Sequence, residues 1–145
     1  MTDTAAPIRQ ALAAYQSAVL AKDVAAFAAV YADDVQIFEL WANWTHDIAS
    51  WREMAKGWFA FLGDQRSVVE AHDVRISVSG DMALLTAFLT YHAIDASGQE
   101  LRSLDNRLSW VLRERAGRWQ VVHEHTSVPI AHEDGKGIFK RPATA

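Results

Sequence analysis

Two histidines flank a glutamate near the carboxyl end of the sequence, in the segment RWQVVHEHTSVP at residues 118–129. This spacing is compatible with a metal site, an acid–base pair or an ordinary strand. Because side chains alternate along a strand, His123 and His125 would share one face and Glu124 would lie on the other. A metal site needs a third ligand and an open coordination position. The candidate third ligands have no diagnostic spacing, so we expect neither a metal ion nor a cofactor; they are His46, His72, His92 and Asp105.

Three helical segments precede the long strands, with one short strand between the second helix and the third. Apolar residues at helical spacing predict a first helix over residues 5–21, with Pro7 in its first turn. Asp23 is a plausible N-cap for a second helix, VAAFAAVY, which ends at an ADD turn before the strand VQIFEL. Thr45 or Asp47 can cap a third helix, which ends at Gly63.

After Gly63 the apolar residues follow a period of two, which is typical of strands. Turns at SGD, ASGQ and Ala116-Gly117 divide residues 66–129 into long antiparallel strands. The predicted fold class is therefore α+β, with three N-terminal helices capping a curved antiparallel sheet. We expect one domain over residues 1–130 and a loose C-terminal tail over residues 131–145.

Composition narrows the possible functions. The chain has 145 residues, of which 50% are hydrophobic, and a net charge of −4. It lacks the basic surface expected of a nucleic-acid binder and any apolar run long enough to span a membrane. The absence of cysteine excludes disulfides, thiolate metal sites and thiol nucleophiles. We expect a cytoplasmic protein whose partners are small molecules or proteins, without nucleic-acid or membrane partners.

Several segments, taken together, resemble one superfamily. Three N-terminal helices, YADDV before the first strand, SGD before a long strand, and RWQVVHEHTSVP are similar to SnoaL-like proteins of the nuclear-transport-factor-like group. The resemblance covers roughly residues 8–129 and implies a cone-shaped sheet. Its members include ketosteroid isomerase, polyketide cyclases, dehydratases and the association domain of a calmodulin-dependent kinase. Because such folds host unrelated sites, the resemblance predicts fold more narrowly than activity.

The isomerase offers the closest match at single residues. It implies that Tyr15 is an oxyanion hydrogen-bond donor, that Glu39 is the general base and that Asp105 is a neutral acid. Such a trio could remove a proton from carbon beside a carbonyl and stabilise the enolate without a metal. Each residue also has an ordinary interpretation: Tyr15 as a core tyrosine, Glu39 as the polar side of an edge strand, and Asp105 as a solvent-facing residue.

The presence of Arg107 argues against a neutral Asp105 in an isomerase-like site. Asp105 and Arg107 share a strand face, so the guanidinium would favour the ionised aspartate. Arg107 is itself similar to a pocket arginine of SnoaL-like proteins, so we expect it to bind an anionic oxygen of the substrate. The alternative is a structural ion pair between Arg107 and Glu124.

Aromatic residues indicate the ligand. Six tryptophans in a chain of 145 residues favour a pocket for an apolar or aromatic ring, although ordinary packing explains most of them. The resemblance also directs Val122 and Glu124 into the pocket and places the two histidines of the HEH segment outside, where such folds pair into dimers. The predicted substrate-binding residues are Trp41, Trp51, Trp58, Phe88, Val122 and Glu124.

Two functions therefore stay open. The first is a cofactor-independent isomerase, cyclase or lyase that moves protons on a hydrophobic carbonyl or phenolic molecule. The alternative is a non-catalytic oligomeric binding or association domain. In both cases we expect a homodimer formed through the outer sheet face near Trp119, His123 and His125.

Overall fold

The computed structural model describes residues 2–143 and confirms the α+β class. Within these residues, helices pack on one face of a curved, unclosed sheet of five strands. The helices are α1 (Ala6–Ala21), α2 (Val24–Ala29) and α3 (Ile48–Leu62); the strands are β1 (Tyr31–Phe38), β2 (Arg66–Ser79), β3 (Met82–Ile94), β4 (Glu100–Arg115) and β5 (Arg118–Ser127).

The sheet has the strand order β1-β5-β4-β3-β2. Strands β2 to β5 pair antiparallel with their neighbours in sequence, whereas β1 pairs parallel with β5. The side chains of Leu85, Leu89, Leu108, Trp110 and Leu112 are buried on the concave face, and the helices cover them. None of the helices within residues 2–143 has the length and apolar character that crossing a membrane requires.

Helix starts follow local capping chemistry. The Asp23 carboxylate accepts a hydrogen bond from the Ala26 amide at 3.0 Å and begins α2. Of the two residues predicted to cap the third helix, Asp47 does so, because its carboxylate accepts from the Ser50 amide at 2.9 Å.

The first strand begins earlier than the sequence predicts. Tyr31 was expected at the end of the second helix and residues 32–34 in a turn, but β1 already starts at Tyr31. The reason is a long-range contact: Tyr31 pairs with Val121, and the Val121 amide donates to the Val30 carbonyl at 3.0 Å. The local sequence cannot predict this pairing, because Tyr31 and Val121 are ninety positions apart in the chain.

A β-bulge in β5 breaks the predicted alternation. Leu112 lies opposite Val121 and Val111 lies opposite His123, so Val122 is the extra residue on β5. As a result Val121 and Glu124 are both buried on the concave side. Trp119 also packs against the core instead of sharing the outer face with the two histidines, as alternation alone predicts.

The segment after β5 contains little regular structure but makes specific contacts. The Asp105 amide donates to the Phe139 carbonyl at 2.7 Å, and the Phe139 ring stacks on Trp41 with centroids 5.4 Å apart. Within the predicted loose tail, residues 131–145, Phe139 and Arg141 therefore contact β4, and the last two residues of that tail lie outside the described residues.

Candidate active site

A cavity of about 570 Å³ opens between α1, α3 and the concave face of the sheet. Its wall is mostly aromatic and aliphatic, with a few polar groups, which is typical of small-molecule sites. The apolar part includes Trp41, Trp51, Met54, Trp58, Phe61, Leu62 and Leu104; the polar part includes Tyr15, Glu39, Ser67, Tyr91, Asn106, Glu124 and Thr126.

Six of the residues predicted from the sequence line this cavity. They are Tyr15, Glu39, Trp41, Trp51, Trp58 and Glu124. These residues come from four parts of the chain, so the tertiary fold brings them together: Tyr15 from α1, Glu39 and Trp41 from the segment after β1, Trp51 and Trp58 from α3, and Glu124 from β5.

The other four predicted residues lie elsewhere. Asp105 and Arg107 are on the outer side of β4, and Phe88 faces the same outer side, where the Arg141 guanidinium lies 4.1 Å from its ring centroid. Val122 is the bulged residue and is not among those lining the cavity. The inward residue of β4 at this level is Asn106, which is 7% exposed.

Asp105 is held in the ionised form on the outer side. It accepts hydrogen bonds from the Thr90 hydroxyl at 2.6 Å and from the Arg141 amide at 2.7 Å. Partial burial tends to raise the pKa of Asp105, but these hydrogen bonds outweigh it and lower the pKa below its ordinary value. Arg107 donates a hydrogen bond to the Ser127 hydroxyl at 2.9 Å. Its partner is therefore Ser127, and neither Asp105 nor Glu124 as the sequence analysis considered.

Glu39 lies just after β1 and has a histidine partner. Its Oε1 is 3.1 Å from His46 Nε2, and His46 Nδ1 is 3.0 Å from Ser50 Oγ. The side chains of Glu39 and His46 are 12% and 4% exposed. Burial raises the pKa of Glu39, and the neighbouring His46 opposes part of that rise.

Glu124 is the second carboxyl group of the cavity wall. Its Oε1 accepts hydrogen bonds from the Tyr31 hydroxyl and from the Trp110 indole, each at 2.7 Å. Burial is the main cause that raises the pKa of Glu124, and the charge of Glu39 adds to the rise. The two donors oppose it, and the resulting pKa is about 7. Glu124 is therefore a carboxyl group that can hold a proton near neutral pH.

Two tyrosine hydroxyls meet at another part of the wall. Tyr15 Oη and Tyr91 Oη are 2.7 Å apart, and burial raises the pKa of both phenols well above the ordinary value. The pair is therefore neutral. One hydroxyl hydrogen bridges the two oxygens, and the other can be donated to a ligand.

The sequence contained a signal for some residues that the prediction missed. On β4 the set Leu104, Asn106, Leu108, Trp110 and Leu112 is apolar apart from Asn106, which already indicates the buried face. On β3 the same logic places Tyr91 inward and Phe88 outward. Tyr31 and His46 carried no such signal, because their roles depend on partners that the chain brings together only on folding.

The histidines of the HEH segment lie beside the Phe38 ring, with centroid distances of 5.0 Å for His123 and 5.7 Å for His125. His123 Nδ1 is 2.9 Å from the Gln36 carbonyl oxygen. Among residues 2–143, the structure groups no three histidine, aspartate or glutamate side chains in a way that could hold a metal ion.

The sequence matches the SnoaL-like domain over residues 8–131. The chain belongs to the SnoaL-like family. A comparison with curated proteins gave no match. The fold of this SnoaL-like chain is also that of many solved structures, so the cone architecture is shared well beyond close relatives.

Three solved structures illustrate how varied these neighbours are. An NTF2-like protein of unknown function from Pseudomonas putida KT2440 is 25% identical, with a TM-score of 0.83, and the match covers 99% of this SnoaL-like chain and 100% of that one. A candidate dehydratase of the NTF2-like family from Streptomyces avermitilis is 17% identical, with a TM-score of 0.72 and coverage of 86% and 95%. A candidate calcium/calmodulin-dependent protein kinase II association domain from Xanthomonas campestris is 21% identical, with a TM-score of 0.65 and coverage of 87% and 88%.

Proposed function

We propose that this SnoaL-like protein is a cofactor-independent acid–base enzyme of the isomerase, cyclase or lyase type. The observation that carries the proposal is a pair of carboxyl groups, Glu39 and Glu124, in the wall of one largely apolar cavity. Their environments differ, since Glu39 has a histidine partner and Glu124 has two neutral donors. Carboxyl groups with separated proton affinities are suited to opposite roles in proton transfer.

Glu39 is assigned as the general base. A carboxylate in an apolar wall is more basic than one in water, because burial disfavours its charged form. It would take a proton from a carbon next to a carbonyl, including the ring carbonyl of the keto form of a phenol; the carbon–hydrogen electron pair would become a carbon–carbon double bond, and the π electrons of the carbonyl would move onto its oxygen. Glu124 carries its proton near neutral pH and would supply it to the product.

The tyrosine pair supports the developing negative charge. Tyr15 and Tyr91 remain neutral and have one hydroxyl hydrogen available, so an enolate or phenolate oxygen could accept a hydrogen bond from them. Asn106 lines the same cavity, and its Oδ1 atom is buried without a hydrogen-bond partner in the described part of the chain.

The substrate class follows from the wall. Trp41, Trp51 and Trp58 surround a volume of about 570 Å³, which suits an apolar molecule of one to a few rings. We therefore assign a hydrophobic carbonyl or phenolic compound as the substrate.

A generic proton-abstraction probe tests the base. In 5-nitrobenzisoxazole a base removes the hydrogen on carbon 3 while the nitrogen–oxygen bond breaks, which releases a coloured nitrophenolate. We expect the protein to accelerate this reaction and Glu39→Gln to lower kcat/KM by about 10²–10⁴-fold. The exposed Glu114 on β4 provides a matched control, and Glu114→Gln should leave the rate unchanged.

Two outcomes contradict this assignment. If Glu39→Gln keeps nearly the full rate while Glu124→Gln abolishes it, the base lies on β5. If the wild-type protein is no faster than acetate, with the probe and in deuterium exchange of 2-tetralone, the acid–base proposal is wrong.

A non-catalytic association domain is the second candidate function. The outer sheet face exposes apolar side chains, among them Met82 (37%) and Leu84 (46%). Patches of this kind mark interaction surfaces more often than inert surface. Failure of the rate test combined with stable oligomers would favour this alternative.

A further inference from the structure

We propose that His46 is a positioning residue that holds the Glu39 carboxylate through its Nε2–H group, while Ser50 fixes the imidazole tautomer. The inference rests on the proposed function, since it explains how the assigned base keeps its orientation. The sequence pattern offered His46 only as a candidate third metal ligand, not as the partner of Glu39.

The backbone of His46 is fixed before its side chain is considered. The Ile37 amide donates to the His46 carbonyl at 3.0 Å, and the His46 amide donates to the Ile37 carbonyl at 2.9 Å. This isolated bridge joins the segment before α3 to β1, the strand that carries Glu39 at its end. Acid and histidine are thus mounted on one rigid unit although seven residues separate them.

The side chain is held equally firmly. The imidazole is buried, and its ring packs on Trp51 with centroids 5.2 Å apart. Both ring nitrogens have a partner, Glu39 at Nε2 and Ser50 at Nδ1. Ser50 is itself tied to the start of α3, where its amide donates to the Asp47 carboxylate at 2.9 Å.

This chain of contacts selects one proton arrangement when Glu39 is ionised. A carboxylate only accepts hydrogen bonds, so His46 Nε2 must carry a hydrogen toward it. In the neutral imidazole Nδ1 then bears a lone pair, and the Ser50 hydroxyl donates to it across 3.0 Å in preference to its other acceptor, the Asp47 carbonyl at 3.3 Å. A base held in this way spends less of its time in unproductive rotamers, which is how orientation contributes to rate.

Two measurements test the inference, and the first needs no substrate. The nitrogen NMR spectrum of the His46 imidazole at pH 8 should show the Nε2–H tautomer. Ser50→Ala should introduce the Nδ1–H tautomer, and Glu39→Gln should shift the Nε2 signal. A dominant Nδ1–H tautomer in the wild-type protein would overturn the proposal.

The second measurement compares replacements at position 46 with the 5-nitrobenzisoxazole reaction. His46→Gln keeps an amide hydrogen near the Nε2 position and should retain the rate within about threefold, whereas His46→Leu removes the donor and should lose about tenfold to a hundredfold. The exposed His132 gives the control His132→Leu, which should not change the rate. Melting temperatures identify any variant that fails to fold. If His46→Leu does not fold, the rate of His46→Gln and the tautomer of the His46 imidazole test the proposal.

The outcomes separate this inference from the proposed function. If His46→Leu folds and keeps the full rate while Glu39→Gln loses it, the base is correct and the positioning role is wrong. If the wild-type protein accelerates neither the probe reaction nor the deuterium exchange of 2-tetralone, the proposed function fails, and the NMR spectrum alone then supports or overturns the pairing.

Discussion

Glu124 shows how one buried side chain links the core to pH. It is 4% exposed, and its pKa is raised from 4.5 to about 7 chiefly by burial. The folded state thus keeps this proton over a range in which the unfolded state has already released it. Since the unfolded state binds fewer protons there, the free energy of unfolding falls as the pH rises.

We predict that Glu124→Gln removes this dependence. Between about pH 4.5 and pH 7 the wild-type protein should lose stability relative to the variant, by at most about 3 kcal/mol. The glutamine oxygen can still accept from Tyr31 and Trp110, so packing is retained. Urea unfolding at several pH values measures the difference. Parallel curves for the two proteins would show that Glu124 does not keep its proton in the folded state.

Asn106 and Arg107 are neighbours in sequence with opposite surroundings. The first lies in the cavity wall and the second on the outer face of β4. We predict that Arg107→Lys leaves the 5-nitrobenzisoxazole rate unchanged, whereas Asn106→Leu, which replaces a polar wall atom, alters KM. A loss of rate in Arg107→Lys would mean that the arginine binds the substrate, as the sequence resemblance implied.

At the scale of elements, α3 connects stability and site. Its first turn is capped by Asp47, and the same turn holds Ser50, the partner of His46. A helix start of this kind leaves amide groups that need an acceptor. Fraying here would therefore loosen the loop that supports Glu39.

We predict that Asp47→Ala lowers the melting temperature by roughly 2–8 °C, because the first turn of α3 loses its N-cap. Thr45→Ala is the matched control, because Thr45 is exposed and does not cap the helix. Thermal or urea unfolding measures both. Equal losses in the two variants would show that the cap contributes nothing specific.

At the scale of the whole molecule, the outer sheet face is the feature that the single chain leaves uncovered. Leu84, Val111 and His123 lie side by side across β3, β4 and β5. This row continues the exposed apolar patch described above, and a second copy of the chain is the partner we assign to it. The bulge in β5 removes Trp119 from that surface but leaves both histidines on it.

We predict that light scattering gives twice the 16.2 kDa of one chain at micromolar concentration. Leu84→Lys should shift the protein to the monomer, because a buried charge without a partner is costly. Ile130→Lys, an equally apolar exposed site outside the row, is the control. A wild-type monomer would refute the homodimer and leave the patch to another partner.

Local patterns in the chain were sufficient to predict most helices and strands and several residues of the cavity wall. Apolar periodicity located the helices and the β2–β5 strands, capping chemistry marked Asp23 and Asp47, and the resemblance directed Glu39 and Tyr15 to one pocket. Those features depend on short stretches of chain, whose preferences are set by neighbours a few residues apart. The apolar residues of β4 also indicated which face of this strand is buried. The resemblance led instead to the prediction of Asp105 and Arg107, which lie on the other face.

The completion of the site depends on contacts between distant parts of the chain. The bulge at Val122 lies in a strand that pairs with β4 on one side and with β1 on the other, and it turns Glu124 inward together with Val121. Tyr31 and Glu124 are 93 residues apart, and Tyr15 and Tyr91 are 76 apart. No local preference encodes such pairs, because each hydrogen bond forms only after the sheet has curved and the helices have closed over it.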